Sequence, residues 1–209
     1  MRLILVRHGE SIGNSENRLQ GQEDYALTER GEQQAQLTGR RLAAGGTSAV
    51  YTSPLLRAFS TAKTIADLTG VEPKVLADVA EYQFGEMGGL TYAEVRERFA
   101  ADPATASLRA ADRIYPGEEG RDNFLRRVTE SIWGVIDAHP GESVAVVSHG
   151  GPIALFCQTA LGLPYRRPMP FSVDNCSLTV IEVSDDTTAP RDERMVLAHL
   201  NDTAHLRAG

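Results

Sequence analysis

The stretch Leu3-Ile4-Leu5-Val6 is an unbroken apolar run of residues that favour β-strands, and it lies at the start of the chain. Such a run fits a strand that is buried on both faces of a sheet. Ser143-Val144-Ala145-Val146-Val147 repeats this pattern late in the chain. Strands buried on both faces are typical of parallel sheets covered by helices, so the sequence predicts a parallel sheet that contains both stretches.

Helical patterns separate these two strands. A first helix is predicted after Thr28, a preferred N-cap residue, and a second after Ser53-Pro54, with Gly70 as its end. The other predicted elements are strands over 49–52, 178–183 and 195–200, a strand-like run over 75–77, a helix opened by a capping box over 91–94 that ends before Pro103, and helices over 124–136 and 152–161.

Strands that alternate with helices in this order indicate an α/β fold. We predict three layers, α/β/α, with a mostly parallel central sheet, helices on both faces and the last two strands as a hairpin. The 209 residues suit one domain, so we predict a single domain over 1–209. The irregular stretch of about 82–120 is predicted to form a small cap insertion over the sheet.

The composition is that of an ordinary globular chain, with 42% hydrophobic and 23% charged residues and a formal net charge of −7. This acidic balance argues against nucleic acid and anionic membranes as partners. The first apolar run is too short for a signal peptide or a membrane span, and Cys157 and Cys176 cannot form a disulfide framework. We therefore expect a cytoplasmic protein that acts on a small substrate.

A histidine directly follows each of the two buried strands. His8 lies in Arg7-His8-Gly9-Glu10, and His149 lies in Ser148-His149-Gly150-Gly151. Ligands of open α/β sheets bind outside the carboxyl ends of the strands, so the two imidazoles converge in one crevice if the strands are neighbours. Either histidine alone could be an ordinary loop residue, but the matched placement of both favours a site.

Arg57 falls in the first turn of the helix predicted after Ser53-Pro54, where the helix dipole already presents positive charge. The alternatives are a surface arginine that points into solvent and a partner for a bound anion. Guanidinium and free helix N–H groups both suit phosphate, and Arg7 could close the other side. Two arginines and two histidines around one anion describe a phosphoryl-transfer site in which one imidazole is the nucleophile.

Such a reaction also needs an acid for the leaving group. The sequence offers three carboxylates for this task. Glu10 adjoins the first histidine, while Glu81 and Glu86 lie in the irregular stretch after the strand-like run. Spacing alone does not choose among them.

These residues belong to a larger set of motifs. The set comprises Leu5-Val6-Arg7-His8-Gly9-Glu10-Ser11, Asn14, Gln20-Gly21, Leu27-Thr28-Glu29-Arg30-Gly31, Ser53-Pro54-Leu55-Leu56-Arg57-Ala58, Thr61-Ala62, Glu81 and Ser148-His149-Gly150. With these motifs the chain resembles the histidine phosphatase superfamily, whose fold is phosphoglycerate mutase-like. The resemblance runs from residue 3 to about residue 151, with family-like strands beyond it.

The resemblance implies a role for each matching position. His8 matches the histidine that is phosphorylated during turnover, Arg7 and Arg57 match the phosphate-binding arginines, and His149 matches the second histidine of the phosphate pocket. Glu81 matches the acid that protonates the leaving oxygen and then activates water. The positions that match residues near the phosphate and the substrate are Asn14, Gln20, Gly21 and Gly150. The resemblance implies no metal ion and no other cofactor.

The chain departs from the family pattern after Glu81. Family members often show G-x-W-E-G, where this chain reads Gly85-Glu86-Met87-Gly88-Gly89 and lacks the aromatic residue and the carboxylate. The departure affects specificity more than chemistry. Tyr92 lies roughly where mutases of the family carry a lysine, and the cap offers only scattered arginines, namely Arg96, Arg98, Arg109 and Arg113. The short cap favours the phosphatase branch.

The predicted function is a metal-independent phosphomonoesterase for a small phosphorylated metabolite. A cofactor-dependent phosphoglycerate mutase would share every pocket residue and differ only in the acceptor of the phosphoryl group. A catalytically inactive module that binds a phosphorylated ligand is the alternative from another class. A zinc site built from His8, His149 and Glu81 is disfavoured because two flanking arginines would repel the cation. A homodimer is the commonest assembly for such an enzyme.

Overall fold

The fold is built on a mixed six-stranded sheet within residues 1–100, 117–164 and 170–207, which the computed structural model describes. The strands are β1 (Arg2–Arg7), β2 (Ala49–Thr52), β3 (Pro73–Val75), β4 (Ser143–Ser148), β5 (Leu178–Val183) and β6 (Met195–Asp202). Their order is β3-β2-β4-β1-β5-β6. The first four strands in this order pair in parallel, whereas β5 is antiparallel to both β1 and β6. The predicted α/β class and the late hairpin are confirmed.

Helices cover both faces of this sheet. They are α1 (Ile12–Ser15), α2 (Glu29–Ala44), α3 (Leu56–Thr69), α4 (Tyr92–Ala100), α5 (Arg121–Ala138) and α6 (Gly150–Ala160). In β1, Leu3 and Leu5 pack with α5 and α6 in one apolar cluster, while Ile4 and Val6 pack with α2 and α3 in another. Because side chains alternate between the two faces of a strand, an unbroken apolar run contributes side chains to both apolar clusters.

Two element boundaries differ from the sequence prediction. The helix expected directly after Ser53-Pro54 begins at Leu56, because Ser53 Oγ accepts from the Leu55 N–H at 3.3 Å and also contacts His149 instead of capping the helix. The strand-like run over 75–77 splits, since β3 ends at Val75 and a 3₁₀ turn follows over Ala77–Val79. Both differences lie next to the crevice at the carboxyl ends of the strands.

The capping box predicted over 91–94 is present. The Thr91 N–H donates to Glu94 Oε2 at 2.7 Å and the Glu94 N–H donates to Thr91 Oγ1 at 3.2 Å, which is the reciprocal capping box at the start of α4. The predictions for Pro103, Arg109 and Arg113 lie outside the described residues. Within the described ranges, no helix is long and apolar enough to cross a membrane.

Candidate active site

Two neighbouring strands bring His8 and His149 together. Strands β1 and β4 are parallel, and Arg7 pairs with Ser148 at their carboxyl ends, so the next residue of each strand is one of the two histidines. The centroids of the two imidazole rings are 5.1 Å apart, and both side chains are buried. The convergence expected from the sequence is therefore present.

His8 is held as a neutral imidazole with one defined tautomer. Its Nδ1 lies 2.7 Å from the carbonyl oxygen of Gly9, which can only accept a hydrogen bond, so Nδ1 carries the proton and Nε2 carries the lone pair. Burial, together with the nearby Arg7 and Arg57 cations, lowers the pKa of His8 well below its ordinary value of 6.5. At neutral pH, Nε2 is therefore unprotonated and carries a lone pair, and His8 lines the wall of a cavity.

His149 is fully buried beside His8, and its Nε2 lies 2.8 Å from Ser53 Oγ. Its Nδ1 has no hydrogen-bond partner in the part of the chain that the structure describes. Burial lowers the pKa of His149 well below 6.5, and the cation of Arg57 adds to this shift. His149 is therefore also neutral at neutral pH.

Two arginines provide the positive charge of the site. Arg57 is 1% exposed and donates to the carbonyl oxygens of Glu23 at 2.7 Å and Gly21 at 2.6 Å. Burial lowers the pKa of Arg57 to about 10, so it stays a cation at neutral pH. Arg7 donates to the carbonyl oxygen of Val173 at 2.5 Å, and burial lowers its pKa as well. Backbone carbonyls thus fix both guanidinium groups without neutralising their charge.

The Nε atoms of these two arginines are buried and have no hydrogen-bond partner among the described residues. A buried donor without a partner is costly, which is the pattern expected of a site that awaits an acceptor. Thr61 links the site further, because its Oγ1 accepts from the Gly9 N–H at 3.0 Å and donates to the Arg57 carbonyl oxygen at 2.7 Å. The crevice therefore combines two positive charges with buried donors that have no partner among the described residues, an arrangement that suits an anion.

Of the three candidate carboxylates, Glu81 lines this cavity. Its Oε1 accepts from the Tyr82 N–H at 2.8 Å, and its Oε2 accepts from the Gly151 N–H at 3.1 Å. Glu10 instead accepts from the Thr28 hydroxyl at 2.9 Å, and Glu86 pairs with an arginine of α4 at 3.5 Å. Of these three carboxylates, Glu81 is thus the one that lies at the same cavity as His8.

The cavity has a volume of about 530 Å³ and a lining of two chemical kinds. Its charged and polar lining residues include Arg7, His8, Asn14, Gln20, Arg57 and Glu81. Aromatic and apolar side chains also line it, namely Leu19, Tyr82, Phe84, Tyr92 and Phe124. A cavity of this size and mixed lining suits a ligand that has both a charged and an apolar part.

The four positions predicted to lie near the substrate all line this cavity. The Ser11 hydroxyl lies 2.9 Å from Asn14 Oδ1 and 2.7 Å from Gln20 Oε1, so its single proton can be donated to either oxygen. Gly21 has a φ of 55°, which suits glycine, and its carbonyl oxygen holds Arg57. Gly150 is the first residue of α6 and follows His149 directly.

The family departure at Met87 has a structural explanation. Met87 is buried in a small apolar cluster with Leu19, Phe84, Leu90 and Val95. It does not line the cavity itself but packs against Leu19 and Phe84, which do. Tyr92 does line the cavity, and 53% of its surface is exposed.

Three residues that support the site were not predicted as site residues from the sequence. Ser53 contacts His149, Arg127 contacts the backbone of Glu81 at 3.0 Å, and Asn175 donates to the His8 carbonyl oxygen at 3.0 Å. Arg127 and Asn175 lie far from the motifs in the chain, and no local pattern distinguishes them from surface residues. Ser53 was identified only as a helix cap.

The positive charges of the site bear on the zinc alternative. Within the described residues, no three His, Cys, Asp or Glu side chains form a group that could hold a metal ion. The cations Arg7 and Arg57 lie close enough to His8 and His149 to lower the pKa of both imidazoles. The arrangement suits an anion.

Comparisons with known proteins agree with this geometry. The family model of the histidine phosphatase superfamily (branch 1) matches residues 3–193. Phosphoglycerate mutase-like protein 4 of Arabidopsis thaliana is 35% identical over 213 residues, covering 99% of this chain and 90% of the relative. Phosphoserine phosphatase 1 of Hydrogenobacter thermophilus is 32% identical over 207 residues, covering 99% and 94%.

A solved mycobacterial glucosyl-3-phosphoglycerate phosphatase in complex with VO3 superposes with a TM-score of 0.81 at 28% identity, covering 96% of this chain and 98% of that one. The chain therefore belongs to the histidine phosphatase superfamily (branch 1). It is a phosphoric monoester hydrolase, as its phosphatase relatives indicate.

Proposed function

We propose that this enzyme is a metal-independent phosphomonoesterase that hydrolyses a small phosphorylated metabolite through a phosphohistidine at His8. One observation carries the proposal. The 2.7 Å contact of Nδ1 with the Gly9 carbonyl oxygen leaves the His8 lone pair on Nε2, at the wall of a cavity that also contains Arg7 and Arg57. A neutral imidazole held in this tautomer between two cations is a nucleophile for phosphorus.

In the first step, the Nε2 lone pair of His8 attacks the phosphorus and forms a P–N bond. The bond between phosphorus and the leaving oxygen breaks, and its electron pair stays with that oxygen. Glu81 in its carboxylic acid form gives its proton to the oxygen, so the product is a neutral alcohol. Arg7 and Arg57 neutralise the charge on the three remaining phosphoryl oxygens, where it is concentrated during the transfer.

In the second step, water attacks the phosphorus on the side from which the alcohol left. The Glu81 carboxylate takes a proton from this water, the P–N bond breaks, and its electron pair returns to His8 Nε2. Inorganic phosphate then leaves. Both steps need Glu81 at the same place, once as acid and once as base.

The test is phosphate release from a broad panel of phosphate monoesters with a chelator present throughout. His8→Ala is expected to remove turnover while far-UV circular dichroism and thermal unfolding show an intact fold. His199→Ala is the matched control, because His199 is exposed on β6 and does not line the cavity. Turnover retained in His8→Ala, or abolished by the chelator, would contradict the proposal.

Trapping the intermediate gives a second test. Quenching with alkali after mixing with a radiolabelled ester is expected to leave label on the wild-type chain and none on His8→Ala, because a phosphohistidine is stable in base and labile in acid. Label on a serine, which has the opposite stability, would overturn the assignment of the nucleophile.

The comparisons also support asking whether the phosphoryl group can return to a hydroxyl. One relative carries the name phosphoglycerate mutase-like, and another is a phosphoserine phosphatase. Assaying phosphoglycerates with a bisphosphoglycerate primer separates the two activities, and hydrolysis without isomerisation supports the phosphatase. Binding of phosphate esters with neither activity would instead support the inactive binding module.

The expected setting of the enzyme is the cytoplasm. Cys157 and Cys176 are free and buried, and burial raises the pKa of both thiols to about 12. Buried thiols of this kind suit a reducing compartment. We propose a homodimer as its assembly, which size-exclusion chromatography with light scattering can test.

A further inference from the structure

Arg127 on α5 uses every hydrogen-bond donor of its guanidinium group. Its Nη1 donates to the carbonyl oxygens of Asp78 at 2.6 Å and Ala80 at 2.8 Å, and its Nη2 donates to that of Glu81 at 3.0 Å. Its Nη2 and Nε also donate to Oε1 and Oε2 of Glu119, at 2.6 and 2.7 Å. A guanidinium has five N–H groups, so all of them are engaged.

Three of these five bonds end on the short segment that carries Glu81. Residues 80–83 belong to no helix or strand, so the ladder of the sheet does not fix them. Other side chains also contact this segment: the Ser148 hydroxyl donates to the Val79 carbonyl oxygen at 2.7 Å, and Gln22 Nε2 donates to that of Glu81 at 3.0 Å. Arg127 clamps the same backbone through three carbonyl oxygens.

Glu119 keeps this clamp in place. It forms a bidentate pair with Arg127, and each of these side chains is only 10% exposed. Its Oε1 also accepts from the Gln83 N–H at 2.9 Å, and its own N–H donates to the Gln83 carbonyl oxygen at 3.2 Å. Since the planar fork of arginine matches two carboxylate oxygens, a lysine cannot reproduce this set of bonds.

We propose that Arg127 is a positioning residue that holds Glu81 where it can transfer protons in both steps of the reaction. The inference rests on the function proposed above and extends it to a residue that does not line the cavity. The guanidinium does not touch the substrate; it acts through the backbone of Glu81. Displacing a reacting group by about 1 Å can cost about 100-fold in rate.

This role predicts a dependence on the leaving group. An alkyl ester needs a proton on its leaving oxygen, so a misplaced Glu81 slows formation of the phosphoenzyme. p-Nitrophenolate leaves without a proton, so p-nitrophenyl phosphate still phosphorylates His8 at the normal rate. Hydrolysis of the phosphoenzyme needs Glu81 as a base in either case, and it slows for every substrate.

The experiment compares Arg127→Lys and Arg127→Met with the wild type, and Arg126→Met is the matched control. Arg126 is the neighbouring arginine of α5, but it is exposed and pairs with Glu130 at 3.3 Å on the solvent side. In stopped flow with p-nitrophenyl phosphate, both Arg127 variants should give a burst of about one nitrophenolate per site at the wild-type rate. The burst should precede turnover that is slower by about 100-fold.

Steady-state assays complete the test. With glycerol phosphate as an alkyl ester, kcat should fall by about 100-fold in both variants while KM changes little, and Arg126→Met should match the wild type. Glu81→Gln should also lower kcat for the alkyl ester with little change in KM, and the fall in kcat should be larger. Arg127→Lys keeps the charge but not the fork, so wild-type kinetics in this variant would mean that only the charge matters and would overturn the proposal.

A loss of equal size for burst, turnover and both ester classes would also overturn it, because that result indicates general damage to the site. If both Arg127 variants fail to fold, Glu119→Gln tests the proposal instead, because it removes the charge that orients the guanidinium. This variant should lose less activity than the Arg127 variants, and it should likewise keep the normal burst rate with p-nitrophenyl phosphate. Absence of label on His8 in the wild type would overturn the proposed function itself, whereas label on His8 without a burst in Arg127→Lys overturns only this inference.

Discussion

Ser53 Oγ lies 2.8 Å from Nε2 of His149, and both side chains are fully buried. The same oxygen accepts from the Leu55 N–H at 3.3 Å. If His149 donated from Nε2, Ser53 would accept two hydrogen bonds and its own proton would have no acceptor within the described residues. Ser53 therefore donates to Nε2, and the proton of the neutral imidazole is on Nδ1. The Nδ1–H of His149 is then a buried donor that has no hydrogen-bond partner among the described residues.

Ser53→Ala is expected to release His149 from this tautomer. Long-range proton–nitrogen NMR of ¹⁵N-histidine-labelled protein should show an unprotonated Nε2 for His149 in the wild type. In the variant it should show a mixture of the two neutral tautomers. The kcat should fall by about 10- to 100-fold, the usual effect of losing a group that orients a site histidine. Ser143→Ala is the control, because its buried hydroxyl has no partner in the described part of the chain. A wild-type spectrum with the proton on Nε2 would refute the assignment.

Gly151→Ala is expected to displace Glu81. A Cβ at residue 151 would overlap Oε1 of Glu81, whose Oε2 accepts from the N–H of the same residue. The carboxylate must therefore move, and turnover of alkyl phosphates should fall by about 100-fold, with a smaller effect on binding. Comparison of kcat and KM for an alkyl ester measures this. Unchanged kcat would show that the position of Glu81 does not limit the reaction.

Gly134→Ala is the matched control for that substitution. Gly134 lies inside α5, and a Cβ there would meet no heavy atom within 4 Å. Because alanine favours helix more than glycine, we expect unchanged activity and a gain of up to about 1 kcal/mol in the free energy of unfolding. Urea unfolding measures the gain, and a loss of stability would contradict it.

Arg57→Lys is expected to cost about 100- to 1000-fold in kcat, the usual effect of removing one donor that stabilises the charge of a transition state. Lysine keeps the charge but cannot hold the carbonyl oxygens of Gly21 and Glu23 while also facing a phosphoryl group. Steady-state kinetics measures the loss. Arg30→Lys is the control, because the Arg30 side chain is 73% exposed, and it should leave kcat unchanged. Equal kinetics for both variants would mean that any cation suffices.

Stability should fall in mild acid because two histidines are buried in the neutral form. The pKa values of His8 and His149 are well below 6.5 in the native state. Burial is the larger cause, and the nearby arginine cations add to it. As the pH falls through about 6.5, the unfolded chain binds protons that the native chain does not. Above that pH, the two histidines do not lower the free energy of unfolding. Below it, each histidine lowers the free energy of unfolding by about 1.4 kcal/mol per pH unit until the pH reaches its lowered native pKa.

Urea unfolding at pH 7.5, 6.5 and 5.5 measures this loss. His149→Asn should flatten the dependence on pH relative to the wild type, whereas His199→Asn should leave it unchanged because His199 is exposed. The same dependence on pH in all three proteins would show that the buried histidines do not cause it.

Much of the fold could be predicted because its signals are local. The apolar runs of β1 and β4, the N-cap at Thr28 and the αL glycine at Gly70 each act over a few residues, and all lie where the sequence places them. The start of α3 was misplaced because Ser53 forms its bonds with His149, which is distant in the chain. A cap residue that has a tertiary partner cannot be recognised from its neighbours alone.

The sequence by itself determined which residues can perform the chemistry. It placed His8 and His149 after buried strands, and Arg57 near the start of a helix, because strand and helix formation depend on side chains close in the chain. The tertiary structure decided which carboxylate joins them and how each group is held. Glu81 and its clamp Arg127 are 46 residues apart. Only packing of α5 against the segment before Glu81 brings them together, and no local pattern encodes contacts of that range.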